Sequence, residues 1–155
     1  MKLLAENTKA RFDYQILETF EAGLILIGQE VKAIKSGRIS LRASYIIFKE
    51  PSRNGLPELY LIGANIPPYQ PKNASPDYDP ERSRKLLLNK LEIKYLIGKT
   101  KERGLTLIPL KVYTKYAKIK IEFGIAKGKK KLDKRELIKK RETDKIIERE
   151  LKARG

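Results

Sequence analysis

The stretch that most constrains the fold is "KIKIEFGIA", residues 118–126. Ile119, Ile121, Phe123 and Ile125 alternate with Lys118, Lys120, Glu122 and Gly124. A strand turns successive side chains to opposite faces, so this run sets four apolar groups on a core and two lysines on an open face. "LTLIPLKVY", residues 105–113, precedes it as the natural partner strand. Beyond the run the pattern stops. From Lys127 to Gly155 there are 13 basic residues against 6 acidic, and the apolar ones are too sparse to form a stripe that docks on a barrel.

That last segment has no proline, and pairs such as Glu148–Lys152 and Glu150–Arg154 stand at helical i,i+4 spacing. Each such pair contributes only about 0.2–0.5 kcal/mol, too little to hold a lone helix. The expectation is a tail disordered when free and helical once phosphates neutralise its lysines. A solvated surface helix is the plainer alternative. The chain thus divides into an ordered domain over 1–126 and a basic tail over 127–155.

Upstream, "FDYQILETFEA", residues 12–22, reads as a strand with Tyr14, Ile16 and Phe20 apolar. Leu24, Ile27, Val31 and Ile34 then recur at helical spacing, with Gly37 just past the end. The run "LILI" taken alone suits a strand equally. "LRASYIIFKE" (41–50) and "ELYLIGANI" (58–66) predict a hairpin around an Asn-Gly turn. Residues 67–84 hold five prolines and predict a long surface loop. Asn89 followed by Glu92 resembles a capping box opening a helix with Ile93, Leu96, Ile97 and Thr100 on one face, ended by Gly104. At least five strands with two outside helices predict a mainly β fold, a small antiparallel OB-like barrel flanked by helices.

Charge narrows the function. The chain carries 35 Lys+Arg against 19 Asp+Glu, a formal net charge of +16. Such an excess suits a polyanionic partner, nucleic acid before membrane. Cysteine and histidine are both absent. That excludes a disulfide framework and a thiolate zinc site, and it removes the usual general base. No cofactor, metal site or catalytic residue is expected. No apolar run reaches the roughly 18–20 residues of a membrane span, and the start has no signal-peptide core. A cytoplasmic monomer is the simple expectation.

Several strings occur in order along the chain: "KARFDYQILETFEAGLILIGQEVKAIKSGRISLRASY", "LIGANIPPY", "DPERSRKLLLNKLEI", "GLTLIPLKVY" and "GIAKGKKKLDKRE". Together they closely resemble the SmpB family of SsrA-binding proteins. "FEAG", "EVK", "RKLLL" and "GKKxxDKR" are the most specific pieces. The resemblance implies binding to the tRNA-like domain of transfer-messenger RNA and delivery of that RNA to stalled ribosomes in trans-translation. It implies that the tail enters the empty messenger channel near the small-subunit decoding centre and becomes helical there. Transfer-messenger RNA and the ribosome are the implied partners.

The resemblance also implies residue roles. Glu21 in "FEAG" matches an RNA-contacting glutamate, able to accept from a base amino group in an unstacked loop. Leu87 in "RKLLL" matches a position at the RNA face. Core packing is its plainer role, although Leu86, Leu87 and Leu88 cannot all point inward on one strand. Lys120 matches a family lysine on the last strand. Lys118 joins it by the period of two, as a phosphate contact or an ordinary solvated lysine. Asn89 has a hydrogen-bonding amide, though capping accounts for it. Arg82, Arg84 and Lys85 follow the proline-rich loop and are placed to order it on a phosphate backbone. Lys32 and Arg38 are further candidates.

In the tail, Lys127, Lys129, Lys130, Lys134 and Arg135 are expected as phosphate contacts. Gly128 is expected to allow a sharp exit from the barrel, and Asp133 to cap the induced helix. Leu132 stands where many relatives carry a histidine that stacks on a ribosomal base. Leucine has no π face, so apolar packing takes the place of stacking there. Phe12 likewise stands at a position that is often histidine. Two other readings compete: a constitutive ribosomal-RNA-binding or initiation-factor-like barrel, and a metal-dependent nuclease using Asp77, Asp79 and Glu81. A loop without a rigid scaffold does not preorganise a metal site, which weighs against the nuclease.

Overall fold

The computed structural model describes residues 1–50, 55–102 and 104–129. Seven strands and three helices follow one another as β1 (Lys2–Glu6), α1 (Thr8–Asp13), β2 (Tyr14–Leu24), α2 (Gly28–Lys35), β3 (Tyr45–Lys49), β4 (Glu58–Ile62), β5 (Arg84–Leu87), α3 (Lys90–Thr100), β6 (Leu105–Lys115) and β7 (Lys118–Gly128). All pairings are antiparallel, in the order β1-β6-β3-β4-β5-β2-β7, and a further β6–β7 pairing closes the strands into a ring. The expected closed β architecture with outside helices is what the chain adopts. Closure leaves only short edges to protect.

β7 shows why the ring forms where it does. Ile119, Ile121, Phe123 and Ile125 are buried on the inside, as the alternation predicts. They meet Ala22, Ile34, Leu61, Leu86, Leu96, Leu107 and Val112 in one core. The opposite face of its far end is buried as well. Ala126 packs with Ala10, Ile108 and Leu110 in a second, small cluster beneath α1. Gly124 belongs to that crowded side. A Cβ there would lie 2.9 Å from Ile16 Cγ2 and 3.0 Å from the Glu18 carbonyl, so only glycine lets β2 and β7 approach.

Several boundaries differ from the sequence reading. Leu24 closes β2, and α2 begins only at Gly28, so "LILI" divides between a strand end and a link. Phe12 lies in α1, where Asn7 caps the helix by accepting from the Ala10 N–H, rather than in a strand. β7 continues through Gly128, paired with Tyr14, two residues past the expected domain boundary at 126. The Lys129 N–H still donates to the Asp13 carbonyl at 3.0 Å. Gly128 makes no left-handed turn; it is an extended strand residue. Tail residues Lys130, Leu132, Asp133, Lys134 and Arg135 lie outside the described residues, as does the expected order of the tail.

The proline-rich loop is tied down by a charge that sequence reasoning missed. Glu30 on α2 is fully buried, and so is Arg84 on β5. Arg84 Nε and Nη2 donate to Glu30 Oε2 at 2.8 and 2.6 Å. Its remaining donors reach the Ala64 carbonyl at 2.7 Å and the Pro80 carbonyl at 2.9 Å. Arg82 donates to the other carboxylate oxygen, which also accepts from the Ile27 N–H at 3.0 Å and so caps α2. The Tyr78 hydroxyl donates to the Ile66 carbonyl at 2.7 Å. A short 3-10 turn at Pro71–Asn73 shapes the middle of the loop. Instead of waiting for a phosphate to order it, the segment is ordered by this internal carboxylate.

Burial pushes the Glu30 carboxyl up. The hydrogen bonds from Arg82, the Ile27 N–H and Arg84, with the Arg84 charge, outweigh it and hold the group below its ordinary 4.5. A depressed folded-state value means that the clamp's stabilisation is fully present above about pH 4.5 and is lost as pH falls through the folded value. Glu30→Ala strands a buried guanidinium, and we expect a loss of about 3–5 kcal/mol in urea denaturation at pH 7. The wild-type minus variant difference should shrink below pH 4.5.

Candidate nucleic-acid interface

The outward face of β2, β7 and β6 gathers most of the expected site. Cross-strand register sets Gly23 opposite Lys120 and Glu21 opposite Glu122 on one side of β7. On the other side Tyr113 faces Lys120, Lys115 faces Lys118, and Lys111 faces Glu122. Four lysines and two glutamates therefore share one surface. Lys111 pairs with Glu122 at 3.1 Å and Lys115 with Glu21 at 3.4 Å. Lys118 and Lys120 have no ion-pair partner among the described residues, so their charges remain available to phosphate.

Glu21 is exposed but held. The Tyr113 hydroxyl donates to its carboxylate, and so does Lys115. The tyrosine bond, with help from the charges of Lys115 and Lys120, overcomes partial burial and lowers the Glu21 pKa below 4.5. Tyr113 itself is almost fully buried, and burial and the glutamate push its phenol upward. The result is an ionised acceptor fixed in the middle of a basic sheet, the arrangement that lets a carboxylate accept from a base amino group.

Leu87 joins this face at the end of β5. It pairs with Gly23 and is 52% exposed, whereas Leu86 beside it is buried. The strand period thus decides which of the three leucines faces out. Leu24, Leu87, Lys118 and Lys120 line one open hollow of about 360 Å³ with Val31 and Lys35 of α2. At the hairpin joining β6 to β7, Tyr116 and Ala117 both have positive φ, 51° and 62°. Type I′ hairpin turns require this at both central residues and usually employ Asn-Gly. Here the turn projects Tyr116 into solvent at 90% exposure beside the lysines.

The other candidates are placed elsewhere. Arg84 is withdrawn from any surface by its commitment to Glu30, which corrects its expected phosphate role. Arg82 also bonds Glu30 but keeps 36% of its side chain exposed. Lys85 is paired with Glu58 at 3.1 Å. Asn89 caps α3, its side chain accepting from the Glu92 N–H at 2.8 Å and its backbone N–H donating to the Glu92 carboxylate at 3.3 Å, while no hydrogen bond holds its Nδ2 among the described residues. Lys32 is exposed on α2. Arg38 donates to the Tyr69 carbonyl at 3.1 Å and lies over that ring. Lys127 and Gly128 are exposed at the far end of β7, and Lys129 Nζ donates to the Arg11 carbonyl at 3.0 Å.

Sequence reasoning missed Tyr113, Lys115, Lys111, Lys35 and Glu30. The first three were within reach: the period of two that exposes Lys120, applied to the partner strand, puts all three on the same face. Among the described residues no group of acids is placed to hold a metal, and no helix is long and apolar enough to cross a membrane. Asp79 is engaged in a local turn with the Glu81 N–H at 2.9 Å.

Comparison with known proteins now settles the family. The family model described as SmpB protein matches residues 4–153. The chain belongs to the SmpB family. SsrA-binding proteins of Carboxydothermus hydrogenoformans and Thermosynechococcus vestitus are 50% and 46% identical to it, each over 99% of this chain and 98% and 97% of their own. That of Enterococcus faecalis is 50% identical over 97% of this chain and 94% of its own. A solved chain described as "tmRNA-SmpB: a journey to the center of the bacterial ribosome" superposes with a TM-score of 0.64 at 44% identity, covering 82% of this chain and 85% of that one. In SmpB terms, the "FEAG" and "RKLLL" motifs that carried the resemblance meet at the Gly23–Leu87 pair.

Tyr113→Phe should remove the largest influence that lowers the Glu21 pKa. A carbon-13 NMR titration is expected to show the Glu21 carboxyl moving up toward 4.5 while the fold is retained.

Proposed function

We propose that this chain binds the tRNA-like domain of transfer-messenger RNA and delivers it to stalled ribosomes for trans-translation. It acts as an RNA-binding protein and not as an enzyme. The observation that carries the reading is the unpaired Lys118–Lys120 face beside exposed Leu87, in a chain that belongs to the SmpB family. Phosphates supply affinity to such a face, and the fixed Glu21 acceptor with the apolar Leu87 supplies selectivity for an unstacked loop. Glu21, Leu87, Asn89, Lys118 and Lys120 are the body's RNA contacts, with Lys32, Lys85 and Arg82 at its margin. A role on the ribosome supports a cytoplasmic location.

The tail is a second functional unit. Its thirteen cationic side chains suit a channel walled with ribosomal RNA, and Lys127 and Lys129 stand where β7 delivers the chain to it. With the messenger missing, the tail occupies the vacant channel near the decoding centre, and Lys130, Leu132, Asp133, Lys134 and Arg135 make the contacts there. β7 runs through Gly128, so the tail is best cut after Lys129.

Two measurements test the division of labour. Deleting residues 130–155 is expected to leave affinity for transfer-messenger RNA nearly unchanged and to abolish peptide tagging on stalled ribosomes; a collapse of RNA affinity contradicts it. Replacing Lys118 and Lys120 with alanine should make the slope of log K against log salt shallower by about 1.5–2, two phosphate contacts' worth. RNA sequenced from the purified complex separates this reading from a constitutive ribosomal protein, which would carry ribosomal RNA alone.

A further inference from the structure

Leu87 stands between two hollows. On one side lies the 360 Å³ hollow, walled by Leu24, Leu26, Val31 and Ile119. On the other lies a hollow of about 590 Å³, walled by Leu56, Leu86, Leu88 and Ile93. Leu87 lines both. Each volume falls in the range of about 300–1,000 Å³ typical of small-ligand sites. Gly23, directly across the β2–β5 pair, has no side chain to cover the leucine's flank, and a Cβ there would come within 3.4 Å of Leu87 Cδ1.

Both hollows have apolar floors and cationic rims. Lys35, Lys118 and Lys120 surround the first, and among the described residues none has an ion-pair partner. Lys90 and Lys94 of α3 stand at the second, equally unpaired, along with Lys85, whose charge is met by Glu58 at the same rim. An apolar wall with cations at its lip suits a flat base attached to a phosphodiester, the unit that an RNA loop presents. Among the described residues no aromatic ring lines either hollow.

We infer that Leu87 is a wedge that parts two successive nucleotides of a loop and seats one base in each hollow. Apolar side chains inserted between bases unstack them in this way, and the cost is met by contacts that the separated bases then make. The two rims hold the flanking phosphates. Lys35 and Val31 of α2, and Lys90, Lys94 and Ile93 of α3, become specificity-determining positions. The inference rests on the RNA-binding reading above and says how that site recognises its loop.

The test uses the full-length protein and transfer-messenger RNA carrying 2-aminopurine at one loop purine of the tRNA-like domain at a time. Stacking quenches this fluorophore. Aliphatic walls do not, so two adjacent positions should brighten on binding. Leu87→Ala is expected to abolish both signals and weaken binding about ten-fold, the scale of one lost aliphatic contact set. Leu87→Met should keep both. Val31→Phe and Ile93→Phe, checked for folding by their melting transitions, should each dim one position and spare the other. Intact wild-type binding with no brightening, or with dimming at every position, overturns the wedge alone. Full signals in Leu87→Ala also overturn it, and that variant keeps the test open should the core-edge variants not fold. Wild-type protein with no affinity for the RNA overturns the RNA-binding reading and the wedge with it.

Discussion

Glu30 lies where four segments meet: α2, the turn after β4, the proline-rich loop and β5. A carboxylate with no solvent exposure is tolerable only when its oxygens are saturated, because an unpaired buried charge costs several kcal/mol. Arg84, Arg82 and the Ile27 N–H provide that saturation. The same bonds fix geometry far from themselves. Arg84 is the first residue of β5 and Leu87 the last, so holding Arg84 sets where Leu87 emerges. Val31 and Lys35 follow Glu30 on α2 and face that leucine across a hollow. A pair that contributes modestly to net stability thereby contributes strongly to the shape of the surface.

That surface belongs to a ring whose inner and outer faces are separated by strand alternation. Buried apolar residues of β7 support the core, and the residues between them supply the charge. The outside of the β2–β7–β6 sheet would repel itself if four lysines stood there alone. Glu21 and Glu122 each neutralise one, leaving Lys118 and Lys120 for a partner. The placement of acid is therefore as informative as the placement of base: it marks which lysines the fold itself consumes.

The sequence made β7, its partner strand and the Asn89–Glu92 cap legible because each rests on local rules, the period of two and a three-residue hydrogen bond. It misjudged what depends on distant pairing. Arg84 resembled a phosphate ligand because its partner, Glu30, stands 54 positions away and nothing local marks it as buried. The five prolines signalled a long surface loop, yet proline limits only the backbone, and the Pro80 carbonyl of that segment accepts from both Arg84 and the Ile66 N–H. "LILI" was ambiguous because a strand end and a link to a buried helix both favour apolar residues. Glu21 came from family resemblance, while its partners Tyr113 and Lys115 emerged only from register.

Amide chemical-shift mapping on titration with the tRNA-like domain tests the account most directly. The account predicts perturbations concentrated at Gly23, Lys35, Leu87, Lys118 and Lys120. Perturbations concentrated instead around the hollow lined by Lys9 of α1, Arg42 and Tyr45 would contradict it.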